Sequence, residues 1–133
     1  MISYATIGST DFAASLKFFD AALATLGYAR THDYSDSGWV AYGSVAEKDS
    51  PTAQSLWVSK TPFNGVGASC GNGAMVALAA HSRAEVDAFH AVALANGGTS
   101  EGAPGVREAY GPDFYVAYVR DPMGNKFSTI FRG

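Results

Sequence analysis

Residues 110–131 read YGPDFYVAYVRDPMGNKFSTIF, two alternating apolar runs around a polar bend. The runs are Phe114–Val119 and Lys126–Phe131, and Arg120-Asp121-Pro122-Met123-Gly124-Asn125 joins them. Pro122 presets φ to about −65°, Gly124 tolerates positive φ, and Asp121 and Asn125 carry short side chains that bond nearby backbone. The segment is therefore predicted to be a β-hairpin. Side chains alternate across a strand, so Phe114, Val116 and Tyr118 share one face, opposite Tyr115, Ala117 and Val119. On the second strand Phe127, Thr129 and Phe131 oppose Lys126, Ser128 and Ile130. One face must pack against a neighbouring layer, and the other is free to line a cavity.

The rest of the chain supplies what such a hairpin packs on. Ile2–Ile7 reads as a strand, and Ser9-Thr10-Asp11 offers N-cap oxygens to a helix over Phe12–Leu26 that Gly27 stops. Its apolar stripe is Phe12, Leu16, Phe19, Leu23 and Leu26. Strands are predicted at Tyr28–Tyr34, Trp39–Gly43 and Gln54–Lys60, the last with Leu56 and Val58 on one side and Ser55 and Trp57 on the other. Residues 61–73 hold four glycines and one proline, a linker between two halves. The order then repeats: strand Ala74–Ala80, a capping box at Ser82 and Glu85, a helix to Asn96 with Val86, Phe89 and Ala93 inward, a broken strand Thr99–Glu108, and the hairpin. Each half is thus β-α-β-β-β, with residues 1–60 as the first module and 74–133 as the second. At a spacing of 70, Leu16 meets Val86, Phe19 meets Phe89, Ala21 meets Ala91 and Gly27 meets Gly97, a thin trace of duplication.

Composition narrows the function. The chain has 133 residues, 47% hydrophobic and 16% charged, which describes a globular domain with a core of ordinary size. Net charge is −3 and Lys and Arg never cluster in sequence, so nucleic acid and anionic membrane surfaces are not expected partners. The lone cysteine, Cys70, has no internal partner, and no apolar run approaches membrane-spanning length. Met1-Ile2-Ser3-Tyr4 lacks the charged start of a signal peptide, so a soluble cytoplasmic protein is expected.

Two βαβββ halves with an RDPMGNK turn at 120–126 and an opening ISYATIGSTDFAASLKFF at 2–19 resemble the vicinal oxygen chelate superfamily. That superfamily contains glyoxalase I, bleomycin-resistance proteins, extradiol dioxygenases and fosfomycin-resistance enzymes. GWVAYG, GNGAMVALAAHSRAEVDAFH and EGAPGVREAYGPDFYVAYVRDPMGNK are similar to a bacterial glyoxalase-like subgroup. The resemblance implies an α+β fold: tandem βαβββ modules forming a curled, cup-shaped mixed sheet with helices on the outer face. It also implies a small-molecule or metal site in the hollow, and a homodimer.

In metal-dependent members, four positions on the first and last strands of each module supply His, Gln or Glu. Carried over residue by residue, these positions fall on Tyr4, Ser55, Met75 and Ser128, with Trp57 on the same face as Ser55. Divalent Mn, Ni, Zn and Fe prefer imidazole and carboxylate donors. A phenol with a pKa of about 10 is neutral, serine hydroxyls add little, and a thioether suits softer ions. No metal or other cofactor is therefore expected here, although a divalent ion is the family default. Of the three histidines, His81 precedes a helix, His90 lies mid-helix, and only His32, on a strand beside Asp33, is a candidate; Glu108 sits near the expected cup mouth. Cys70 has no base beside it, and neither Ser55 nor Ser128 has a His-Asp partner, so no catalytic residue is assigned. Tyr4, Trp57 and Met75 either fill the cup or make a wall for a flat or apolar ligand. The leading expectation is a small organic molecule bound at Tyr4, Ser55, Trp57, Met75 and Ser128 without metal. The alternatives are a metal-dependent lyase, isomerase or dioxygenase, and a vestigial dimer that acts only through protein contacts.

Overall fold

The computed structural model describes residues Met1–Gly133, and its chain order follows the duplicated pattern. The first module comprises β1 (Tyr4–Gly8), α1 (Phe12–Ala24), β2 (Ala29–Tyr34), β3 (Trp39–Gly43) and β4 (Ser55–Ser59). The second comprises β5 (Val76–Ala79), α2 (Arg83–Ala95), β6 (Thr99–Val106), β7 (Phe114–Arg120) and β8 (Lys126–Arg132). The sheets have corresponding strand orders, β1-β4-β3-β2 and β5-β8-β7-β6. In each, the first strand runs parallel to the last and the remaining pairs are antiparallel. Both are open, curled mixed sheets with a helix on one face, the α+β architecture expected. No helix is long and apolar enough to cross a membrane.

The hairpin at the second module's centre forms as its turn chemistry dictates. Gly124 takes φ +88°, and the amides of Met123 and Asn125 both donate to Asp121 Oδ1, at 3.0 and 2.8 Å. Asp121 is almost fully buried. Burial pushes its carboxyl up and outweighs the bonds from Asn125, Met123 and Gly124 that favour the charged form. The same turn ties the modules together. Asn125 Nδ2 reaches Asp121 Oδ2 at 2.9 Å and the Gly8 carbonyl at 3.4 Å, while Thr10 Oγ1 lies 3.1 Å from Met123 Sδ.

Helix α1 ends at Ala24, two residues short of the sequence expectation, because the chain tightens through Thr25 before Gly27 turns left-handed at φ +79°. Its buried residues are Ser15, Phe18, Phe19, Ala22 and Leu23. Phe12 and Leu16, expected on the buried stripe, are only partly covered, and Phe18 takes the central place. Val86, Phe89 and Ala93 of α2 are buried as expected. The capping box is shifted: Ser82 Oγ accepts from the Glu85 amide at 3.1 Å, but Glu85 Oε2 accepts from the His81 amide at 2.7 Å, one residue before the cap. Strand β6 is bulged around Gly102, as its glycines and proline suggested.

The structural repeat is 71 residues, not 70. Helix α1 starts at Phe12 and α2 at Arg83, and β4 starts at Ser55 and β8 at Lys126. Phe18 and Phe89 are then equivalents, as are Ala22 and Ala93, and each pair is buried to 1% exposure or less. The left-handed glycines, Gly27 and Gly97, lie 70 apart because α1 spends one more residue before its stop. Thirteen buried side chains form one continuous cluster, from Phe18, Val40 and Leu56 to Phe89, Val119 and Phe127, so the modules share a single core.

Candidate functional site

The shared core fixes which sheet face is free. In the first module Val40, Tyr42, Leu56 and Val58 point to α1, so alternation turns Trp39, Ala41, Ser55 and Trp57 to the opposite, hollow face. Tyr4 is the register partner of Ser55 across the parallel β1–β4 pair and is 63% exposed. Trp57 follows two residues along β4. Its indole lies 5.6 Å from the His32 ring and 6.4 Å from that of Tyr34, with interplanar angles of 26° and 7°. Trp39 meets it edge-on at 6.4 Å. His32 therefore joins an aromatic ladder, its Nδ1 3.1 Å from Thr31 Oγ1. Tyr34 was not singled out from sequence; its signal is the two-residue spacing that puts it on His32's face of β2.

In the second module Ser128 is buried at 2% exposure, between Ala77 on β5 and Tyr118 on β7. Met75 lies just before β5, half exposed. The 71-residue repeat makes Met75 the counterpart of Tyr4, and Trp57, rather than Ser55, the counterpart of Ser128. The counterpart of Ser55 is Lys126.

A groove of about 730 Å³ opens between β1 and β5, the strands at the facing sheet edges. Ala5, Leu56 and Tyr42 wall one side, Met75, Val76 and Leu78 the other, and Leu23 contributes from α1. The volume suits a small organic molecule, and the walls are mostly apolar. Ser55 and Met75 line this groove, and Tyr4 stands beside Ser55 at its edge. Trp57 and Ser128 do not line it; they lie on the adjoining hollow faces.

Beneath the groove Tyr42 donates to Asp20 Oδ1 at 2.8 Å, and Arg30 holds the same carboxylate with Nε and Nη2 at 2.8 and 2.7 Å. Burial raises the Asp20 carboxyl, but the bonds from Arg30 and Tyr42 together outweigh it and leave it below its ordinary value. Burial pushes the Tyr42 phenol well up, and its bond to Asp20 adds to the shift. This trio fixes the groove floor, and Glu47 is the one carboxylate among the residues lining the groove.

Nothing in the hollow resembles a catalytic or metal cluster. No three His, Cys, Asp or Glu side chains gather anywhere in the structure. His81 bonds Glu85 and His90 bonds Ser100, both on the helical side. Glu108 is exposed in a short 3-10 turn, and Cys70 is exposed beside Gly124. The repeat-related strand positions offer a phenol, an indole, a thioether and a hydroxyl. Three of these are neutral weak donors, and the indole N–H donates only.

Paired βαβββ modules around a ligand-sized groove define a glyoxalase-type protein. No family model and no curated protein matches the chain. A glyoxalase/bleomycin resistance protein from Albidiferax ferrireducens T118 has 38% identity to it, with 100% of this chain and 99% of that one covered at a TM-score of 0.82. This chain belongs to the glyoxalase/bleomycin resistance family, as its resemblance to the vicinal oxygen chelate superfamily suggested. The fold is shared more widely. A glyoxalase-related enzyme from Fulvimarina pelagi matches 98% of the chain, which covers 87% of it, at 19% identity and a TM-score of 0.73. A glyoxalase I mutant from Zea mays matches 98% at 19% identity and a TM-score of 0.62, with 45% of its own chain covered.

Proposed function

We propose that this protein binds a small organic molecule between its modules and does so without a metal ion. One observation carries the reading: the four repeat-related positions, Tyr4, Trp57, Met75 and Ser128, bear no imidazole, carboxylate or thiolate, and one of them, Met75, lines a groove of small-molecule size. A divalent ion placed among those four side chains loses its water and gains no charged ligand from them. An apolar or flat molecule gains area against Met75, Leu56 and Ala5 in the groove, and Trp57 offers a separate stacking surface on the hollow face. Tyr4 and Ser55 supply hydroxyls at the groove edge, and Ser128 lies at the floor of the adjoining hollow.

The reading includes a homodimer. Strands β1 and β5 are sheet edges, and Ile2, Tyr4 and Met75 leave apolar surface exposed along them. It places the protein in a reducing cytoplasm, consistent with an exposed, unpaired Cys70.

A thermal-shift screen of aromatic antibiotics and thiol conjugates tests the binding. A ligand at 100 times its dissociation constant adds about 2.7 kcal/mol of stability. A hit that persists in chelator supports the reading, and one that needs added Ni, Zn, Mn or Fe contradicts it.

A further inference from the structure

We infer that the hollow face of the second module carries an oxyanion subsite, formed by Arg107 and Lys126 over the ring of Tyr118, which selects ligands bearing a carboxylate or phosphate. The inference rests on the small-molecule reading above and adds the chemical class of the ligand.

Arg107 Cζ lies 5.7 Å from the Tyr118 ring centre and Lys126 Nζ lies 5.4 Å from it. Neither cation has a carboxylate within 4 Å, although the chain carries 12 acidic residues against nine basic ones. By contrast Arg30 and Arg120 are each held by acids, Asp20 with Asp33 and Glu101. The ring offsets each of these charges only in part, so both cations stay available to an anion on the hollow face.

The site is built rather than incidental. Arg107 Nη1 donates to the Gly105 carbonyl at 3.1 Å and Nη2 to the Ala103 carbonyl at 2.8 Å. Those bonds anchor the guanidinium on bulged β6 without neutralising it, and three of its five N–H groups remain for a ligand. Gly102 makes room: a Cβ there would sit 3.0 Å from Tyr118 Cδ2 and 3.1 Å from Arg107 Nη2. Tyr118 is the register partner of both Gly102 and Ser128, so the cations flank the serine already placed at the hollow floor. Glu101 is the nearby acid; its carboxylate is engaged by Arg120, and Lys126 helps hold it in the charged form.

The test uses the full chain labelled for amide NMR, with sodium benzoate, phenyl phosphate and neutral benzamide as probes at constant ionic strength. Benzoate or phenyl phosphate is expected to shift the amides of Tyr118, Lys126 and Ser128 while benzamide does not, and whichever anion shifts them at lower concentration identifies the group. Arg107→Gln and Lys126→Gln should each weaken the anion about 3- to 10-fold, and Gly102→Ala, which crowds Arg107 while leaving both charges, should weaken it as well. Equal affinity for benzoate and benzamide, anion binding unchanged in the Arg107→Gln/Lys126→Gln pair, or no shift by either anion at millimolar concentration would each overturn the subsite. Benzamide shifting the amides of Trp57 and Tyr34 in those cases would leave small-molecule binding intact.

Discussion

Trp57 and Ser128 occupy the same place in the two modules, 71 residues apart, each the third residue of its module's last strand. Trp57 exposes an indole stacked with His32 and Tyr34, whereas Ser128 is buried beneath Tyr118's strand. A duplicated fold offers two symmetric donors at such a pair; here one is an aromatic plate and the other a small hydroxyl. The hollow is therefore asymmetric, flat and aromatic in the first module, cationic in the second.

The aromatic half gives the first expectation. Replacing Trp57 by Ala removes the middle of a three-ring ladder, and stacking of this kind contributes about 1–1.5 kcal/mol. An aromatic ligand found by thermal shift should bind about 5- to 10-fold more weakly to Trp57→Ala in calorimetry. Unchanged affinity would place the ligand elsewhere.

Thr129 is fully buried and its Oγ1 has no hydrogen-bond partner. An orphaned hydroxyl carries a desolvation cost that a methyl of the same shape does not. Thr129→Val is expected to raise stability by about 1 kcal/mol, a rise of about 3 °C in Tm by calorimetry. A fall in Tm would mean that the hydroxyl is satisfied in solution.

The Asp20–Arg30–Tyr42 trio gives a pH dependence with a defined sign. The carboxyl of Asp20 is held below its ordinary 3.8, so its stabilisation is complete above that value and is lost as pH falls through the folded value. The site is partly exposed and screened, so Asp20→Asn should cost only about 1 kcal/mol at pH 7. The gap between variant and wild type should close as the pH falls below 3.8 in denaturant titrations. A gap that stays constant to the lowest pH would show that charge plays no part.

Two glycines separate sterics from backbone strain. A Cβ on Gly98 would lie 2.7 Å from Phe18 Cε2, 2.8 Å from the Ala93 carbonyl oxygen and 3.0 Å from that of Arg120. Two of those atoms are backbone, so Gly98→Ala should cost about 2–3 kcal/mol by overpacking. Gly27 has open space around it but φ +79°, and its change to Ala should cost only about 1 kcal/mol. Chemical denaturation that ranks them in the opposite order would contradict the close packing of α1 on the second module.

Much of this was legible in the chain itself. The RDPMGNK turn, the stop glycines and the inward stripe of α2 are local, and each formed where its residue chemistry placed it. The repeat was read one residue short because Phe18 and Phe19 are both buried, and only the helix starts decide which of them answers Phe89. The family resemblance placed Ser55 opposite Ser128, whereas the 71-residue structural repeat gives that place to Trp57. The groove was not legible because it joins residues from strands far apart in sequence, and the cations over Tyr118 were not because the bulge at Gly102 sets where Arg107 reaches. Asn125 likewise reveals its bond to Gly8 only once the modules are packed.

Elemental analysis of the purified protein, expressed with Ni, Zn, Mn and Fe all supplied and passed through gel filtration without chelator, bears most directly on the metal-free reading. The expected result is each metal far below one atom per chain, with the same ligand-induced rise in Tm before and after chelator treatment. One atom of any of these metals per chain, lost together with ligand binding on chelation, would contradict it.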